Sequence, residues 1–228
     1  MDVGKVSNKS LSQPESQLIV REAVNNRKFY LFSKRCIDII GALCGIIVLS
    51  LLFIVIAIAI KIEDPKGPVF FKQKRVGKDG KEFNMYKFRS MVTDAEKKLQ
   101  ELLKYNEVSG AMFKMKDDPR VTKIGKFIRK TSIDELPQLW NVLMGDMSLV
   151  GPRPPLAREV KEYTAYDMQR LLVVPGCTGL WQVSGRSNLG FEQMVELDLQ
   201  YIQQRNLVFD VKIILKTIRA LSGSNDAY

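Results

Sequence analysis

The sequence contains no histidine. That excludes Ser-His-Asp and Cys-His catalysis, imidazole general bases and His-containing zinc sites. Acid–base or covalent chemistry must then come from carboxylates, Lys, Tyr, Cys, Ser or Thr. Cysteine is scarce as well. Cys36, Cys44 and Cys177 make no C-x-x-C pair and cannot all pair with one another. A disulfide scaffold and a zinc finger are excluded, and a reducing compartment fits. Neither a G-x-G-x-x-G run nor a P-loop is present, so nothing points to a Rossmann or Walker nucleotide site.

Acidic residues are in deficit. Lys plus Arg number 35 and Asp plus Glu 25, a net charge of +10 on 228 residues, with a pI near 9.5. Such a balance implies an acidic partner: nucleic acid, anionic lipid or a phosphorylated substrate. Few aromatics interleave the basic residues, which argues against a nucleic-acid groove. The length corresponds to one domain or a little more, enough to bury a real core.

Charge disappears altogether over residues 39–60, a run of 22 residues. As one straight helix it would be about 33 Å long, enough to cross the hydrocarbon core of a bilayer. It starts too deep in the chain and is too long for a cleaved signal peptide. Both flanks are basic, with Arg27, Lys28, Lys34 and Arg35 before and Lys61, Lys66, Lys72, Lys74 and Arg75 after. A simple span should carry its positive flank on one side only. Two arrangements satisfy the flanks: a re-entrant helix that leaves on the face it entered, or a span whose downstream part is translocated regardless of charge. Asp38 has Lys34 and Arg35 within one turn, and Gly41-x-x-x-Gly45 permits close helix approach. Upstream, residues 1–28 are polar and unpatterned, with at most a short surface helix over 18–24.

Beyond the apolar run, residues 69–76 and 83–89 read as a β-hairpin turning at Lys78-Asp79-Gly80. Its return strand places Phe83, Met85, Lys87 and Arg89 on one face, so two cations lie side by side. Thr93 or Asp94 caps a helix running to about Tyr105, and Thr122 opens a short basic helix to Lys130. In Ser132-Ile133-Asp134-Glu135-Leu136-Pro137-Gln138-Leu139, Ser132 and Glu135 fit a capping box. Pro137 equally suits a helix that starts at Asp134. Either way adjacent carboxylates sit at a helix N-terminus, with Arg129 just upstream. An ionised, oriented Asp is what a carboxylate nucleophile or a Mg²⁺ ligand requires; a plain N-cap pair has the same spacing. Arg153 stands between prolines in Gly151-Pro152-Arg153-Pro154-Pro155, a backbone stiff enough to preorganise a guanidinium for phosphate. The turn-rich stretch 175–182 ends in Trp181-Gln182, an aromatic face and an amide, with Arg186 just beyond. Residues 191–204 and 210–221 are helical. The second carries Val211, Ile214, Leu215, Ile218 and Leu221 as one stripe and Lys212, Lys216 and Arg219 as another, a pattern that suits a membrane surface or a core helix with a cationic outer face.

Taken together, these residues resemble the bacterial sugar transferase family, the small monotopic polyprenyl-phosphate phosphoglycosyl transferases. The resemblance is carried by Lys34-Arg35 with Asp38, Gly67 through Gln73, Arg75-Val76-Gly77, Lys87 through Met91, and Asp118-Pro119-Arg120. It continues through Ser132 to Leu139 with Asn141, Gly145 through Ser148, Gly151 through Pro154, and Pro175 through Gln182. It implies an α+β membrane-associated fold: a re-entrant hydrophobic helix, a small β-hairpin and several short helices, some interfacial. The division it implies is a polar tail at 1–33, the membrane helix at 34–62, a cytoplasmic catalytic domain at 63–221 and a tail at 222–228. The implied reaction transfers sugar-1-phosphate from a UDP-sugar to polyprenyl (undecaprenyl) phosphate, releases UMP and initiates exopolysaccharide, capsule or glycan synthesis. Asp134 and Glu135 match the family's catalytic dyad, with Asp134 the nucleophile that forms a covalent phosphosugar intermediate. The same pair would hold Mg²⁺. Lys87, Arg89, Arg129 and Arg153 are candidates for the phosphates, and Gln138, Trp181 and Gln182 for other parts of the substrate. The implied location is the cytoplasmic face of the bacterial inner membrane, among membrane lipids, with no nucleic acid; a homodimer is compatible with the helix and the tail. One departure stands out. The family commonly has Ser-Pro in mid-helix, whereas Ser50 is followed here by Leu51, which leaves any kink to Ser50, the glycines and flanking contacts. The competing reading is a non-catalytic, membrane-anchored basic module that binds anionic lipid or nucleic acid.

Overall fold

A computed structural model describes residues 24, 26–105, 115, 117–185 and 189–223. The proposed helix at 18–24 lies outside these, apart from Val24, and so does Arg186. The architecture is α+β. Helices α1 (Lys28–Val48) and α2 (Ser50–Glu63) come first, then strands β1 (Phe70–Val76) and β2 (Glu82–Phe88), α3 (Ala95–Leu102) and α4 (Lys123–Lys130). Next are α5 (Gln138–Met144), β3 (Ser148–Val150), α6 (Ala157–Val160), β4 (Gly176–Thr178), α7 (Phe191–Gln204) and α8 (Leu207–Gly223).

The apolar run is two helices rather than one. No single helix among the described residues is long and apolar enough to cross a membrane; α1 and α2 together are, and they bend by 60°. The break is at Leu49, whose φ of −91° and ψ of 6° leave the helical range. No proline is needed, because the two halves are tied to different parts of the molecule. Gly41 and Gly45 press against Leu149 and Leu139, and Ala42 is fully buried with Met85, Val142 and Met147. The glycine pair is thus spent on a contact within the chain. On the far side of the bend, Ile56 and Ile60 form a separate core with Phe88 and Ile128. Beyond it, Glu63 accepts from the backbone N–H groups of Lys123 (2.7 Å) and Ile124 (2.9 Å), capping α4 from the end of α2.

Polar groups fix the other end. Asp38 is buried and accepts from Ser148 Oγ and Leu149 N, both at 3.0 Å. Lys34 is 4.0 Å from Asp38 and 3.2 Å from Asp210 of α8. Arg35 does not join them; it donates to the Val142 and Leu143 carbonyls at the C-terminus of α5.

The hairpin forms as the alternation predicts. Antiparallel pairing sets Arg75 opposite Phe83, Gln73 opposite Met85 and Phe71 opposite Lys87. Arg75 and Lys87 therefore share one face. Thr122 caps α4 as expected, accepting from Gly125 N at 2.9 Å. Short parallel strands β3 and β4 pair Ser148 with Gly176 and Val150 with Thr178. Around them Gly151, Gly176 and Gly179 let two backbone segments touch, because a Cβ at any of the three would strike backbone of the other segment. In α8 most of the predicted stripe is not core: Val211, Leu215 and Ile218 are exposed, as is Val208, while Ile214 packs partly against the core and Asp210 and Ile213 face inward. Helix α8 thus presents apolar and cationic stripes outward together.

Candidate active site

The segment that carries the dyad differs from both sequence alternatives. Ser132 takes a left-handed conformation (φ 56°, ψ 17°) and makes no capping bond, so there is no capping box. Residues Ile133–Glu135 form a 3₁₀ turn, and α5 starts only at Gln138, with Pro137 (φ −61°) as its cap. The left-handed Ser132 turns the chain out of α4 and leads straight into that tight turn, so the carboxylates precede the α-helix instead of opening it. Asn141 then seats α5 on the hairpin: fully buried, it accepts from Tyr86 N (3.0 Å) and donates to Asn84 O (2.7 Å), reading both backbone groups of β2. That contact brings the 3₁₀ turn against Lys87.

Two neighbouring carboxylates consequently have different surroundings. Asp134 is buried, and Glu135 retains 42% of its side-chain exposure. Lys87 Nζ bonds Glu135 Oε1 at 2.6 Å. Burial pushes the Asp134 carboxyl up to about 6 against the opposing pull of Lys87 and Arg129, and the neighbouring Glu135 charge adds to the rise. For Glu135, burial acts upward too, but Lys87 outweighs it with help from Arg153 and Arg75, and its pKa ends below the ordinary range. Arg129 is aimed by its bond from Nε to Ser90 Oγ at 2.9 Å. Its helix sits close because Gly125 has no Cβ to strike the Ser90 carbonyl.

Of the predicted phosphate ligands, Lys87, Arg129 and Arg153 converge electrostatically on the dyad. Arg89 does not belong to that group. Its guanidinium bonds Asp64 Oδ2 at 2.7 Å and the Asp64 carbonyl at 2.8 Å, locking the exit of α2 to the hairpin. Gln138 is buried in the first turn of α5. Trp181 is buried, 9% exposed, so it presents no open stacking face; Gln182 donates to the Cys177 carbonyl at 3.3 Å. The sequence reading passed over Arg75. It is buried on the Lys87 face, and its charge reaches both Arg153 and Glu135. The available signal was register: Arg75 lies across the hairpin opposite Phe83, two pairs beyond Met85 and on the same face. Also missed was the buried pair of Arg170 and Asp198 at 2.7 Å.

Among the described residues no three acidic or thiol side chains gather in a metal-binding group. The dyad offers hard oxygen donors only. That suits Mg²⁺, which takes one or two carboxylates, several waters and substrate phosphate oxygens.

Known proteins settle the family. The family model for bacterial sugar transferases matches residues 29–224. The chain belongs to the bacterial sugar transferase family. It is 50% identical over 199 residues to galactosyl transferase CpsE of Streptococcus agalactiae, covering 85% of this chain and 44% of that protein. It is 43% identical over 201 residues to the undecaprenyl-phosphate galactose phosphotransferase of Salmonella typhimurium, covering 86% and 42%. A third relative, the exopolysaccharide production protein ExoY of Rhizobium meliloti, is 39% identical over 200 residues, with 86% and 88% covered. The chain thus spans less than half the length of the first two relatives and most of the third.

Proposed function

We propose that this chain is a phosphoglycosyl transferase, moving sugar-1-phosphate from a UDP-sugar to polyprenyl phosphate at the start of a polysaccharide. The observation that carries the reading is the asymmetric dyad, one buried carboxylate beside one ion-paired carboxylate, under three converging cations. In the proposed reaction a carboxylate oxygen of Asp134 attacks the sugar-linked phosphorus. The bond from that phosphorus to the bridging oxygen breaks, and UMP leaves with the electron pair. Polyprenyl phosphate then attacks the same phosphorus, the bond to Asp134 breaks and the carboxylate is restored. Lys87, Arg129 and Arg153 hold and neutralise the phosphates, which is where most of the catalysis in phosphoryl transfer lies. Glu135, ionised against Lys87, keeps that ammonium fixed beside Asp134. Asp134 and Glu135 would hold Mg²⁺, which when bound would draw negative charge off the diphosphate.

The membrane part of the proposal rests on exposed apolar side chains. Phe29, Phe32, Ile40, Ile47, Val48, Leu51 and Ile62 all lie open on α1 and α2, and the α8 stripe adds Val208, Val211 and Leu215. A surface of that extent calls for lipid. The bend at Leu49 supports a re-entrant helix pair on the cytoplasmic face of the inner membrane, where UDP-sugars are found. Galactose is the first donor to test, since two of the relatives carry it in their names.

The test is UMP release from UDP-galactose, UDP-glucose and UDP-N-acetylhexosamines by detergent-solubilised protein with Mg²⁺ and polyprenyl phosphate. Release with one donor, lost in Asp134→Asn, is expected. A labelled phosphosugar adduct on Asp134 without acceptor is the second expectation. Full turnover in Asp134→Asn would overturn the covalent step.

A further inference from the structure

Arg75 has no assigned part in the site just described. It is 5% exposed. Its guanidinium donates from Nε (3.1 Å) and Nη2 (2.6 Å) to Gln73 Oε1 and from Nη1 (3.0 Å) to the Pro154 carbonyl. Both acceptors are neutral. Three of the other four deeply buried arginines are in ion pairs, Arg89 with Asp64, Arg120 with Asp118 and Arg170 with Asp198; Arg205, like Arg75, makes none among the described residues and lies over the Tyr30 ring. Glu159 and Glu135 act on Arg75 through space but neither bonds it, and a buried charge with no carboxylate in contact is costly, so a place is left for an anion from outside.

Its position says what that anion is. Arg75 shares the hairpin face that presents Lys87 to Glu135. Its bond to Pro154, with Val76 N donating to the Pro155 carbonyl at 2.9 Å, ties it to the loop that carries Arg153. Burial and the nearby Arg153 charge lower the guanidinium to about 10 against the pull of Glu159 and then Glu135, so two like charges are held together with those carboxylates in reach but not in contact. Three of the five N–H groups are committed. One remains on each terminal nitrogen, and these are left to donate to phosphate oxygens.

We infer that Arg75 is a further substrate-binding residue, which with Arg153 and Lys87 cradles the diphosphate of the donor. The inference rests on the proposed transferase reading for the identity of the ligand, but the cradle itself is testable with inorganic pyrophosphate. Pyrophosphate binding to full-length, detergent-solubilised protein is measured by calorimetry at fixed Mg²⁺ for the wild type, Arg75→Gln and Arg75→Met, each first checked for a cooperative melt. At least a tenfold loss of affinity is expected. Arg75→Lys, which keeps the buried charge but not the fork on Gln73 and Pro154, serves if the neutral variants fail to fold, with a loss of at least threefold. The loss should persist when the same change is made in an Arg153→Lys background. Wild-type affinity in a folded Arg75 variant overturns the inference. So does a loss that vanishes in the Arg153→Lys background, which would make Arg75 only a brace for that loop, or a wild type that binds no pyrophosphate. Arg75-dependent pyrophosphate binding in a protein that releases no UMP from any UDP-sugar would instead sink the transferase reading and leave the cradle standing.

Discussion

Replacing Asp134 by Asn should make the protein more stable while abolishing its activity. Burial raises the carboxyl from 3.8 to about 6 in the fold. A group whose folded pKa lies above its unfolded value binds protons more tightly when folded. Its cost therefore appears as pH rises through the unfolded pKa and is complete above the folded one. Near pH 7.5 the ionised Asp134 costs about 3 kcal/mol, at roughly 1.4 kcal/mol per pH unit of displacement. At pH 5 about half of that remains, and below the unfolded value it vanishes. The asparagine amide is a neutral isostere and carries no such cost, so Asp134→Asn gains the difference. For a domain of this size that corresponds to a rise in Tm of roughly 6–12 °C at pH 7.5. The assay is thermal unfolding in detergent from pH 4 to 8 for both proteins. A gap that widens with pH is expected. A variant that melts lower than wild type at pH 8, or a gap independent of pH, would refute the claim that burial destabilises this carboxylate.

The same displacement governs rate: at limiting Mg²⁺, kcat/KM for UMP release should fall toward tenfold per pH unit below about 6 and level off above it, with the limb moving to lower pH as Mg²⁺ is raised, and a profile flat from pH 4 to 8 at limiting Mg²⁺ would exclude Asp134 as the ionised nucleophile. Lys87→Met removes the strongest charge that opposes the rise at Asp134, so the acidic limb should move to higher pH and the plateau rate should drop; an unmoved limb with a lower plateau would confine Lys87 to substrate binding. Gly125→Ala forces a methyl into the Ser90 carbonyl, which should cost about 1–3 kcal/mol by denaturant titration and lower kcat through the displaced Arg129. Leu51→Pro restores the family's Ser-Pro pair in the first turn of α2, where proline is tolerated, and should keep activity within a factor of a few, whereas Ile58→Pro in the body of α2 should abolish it.

Local pattern was enough for the elements and not for their partners. The hairpin, the capped helix α4 and helices α7 and α8 follow from alternation, caps and 3.6-residue spacing, all of which are written within a dozen residues. The motif order named Asp134, Glu135, Lys87, Arg129 and Arg153, which the fold brings together, but it also named Arg89, which the fold gives to Asp64, and left Arg75 without a role. What stayed hidden was tertiary. Nothing near Arg89 announces that Asp64, 25 positions away, takes its guanidinium. Nothing near Ser132 announces a left-handed backbone; the S-x-x-E spacing argues for a cap, and the turn out of α4 overrides it. The bend at Leu49 has no proline to mark it and depends on where Leu139, Leu149, Phe88 and Ile128 sit. Trp181 reads as a pocket aromatic in sequence because burial cannot be seen there.

The Arg89–Asp64 pair, which takes Arg89 away from the phosphates, gives the arrangement its logic. Strand β2 carries Lys87 to the dyad and, two residues later, Arg89 to the exit of α2. Glu63, the neighbour of Asp64, caps α4, and α4 carries Arg129 to the same dyad. Both cations that act on Asp134 are thus braced directly against the end of the apolar helix pair. A change in the seating of that pair must move Lys87 and Arg129 together relative to the carboxylates. On the proposed reaction, this is the coupling that an enzyme with one soluble and one lipid substrate requires: the phosphate-binding charges are referenced to the apolar helices, so the acceptor phosphate arriving at the bilayer surface and the donor diphosphate meet Asp134 at a fixed height.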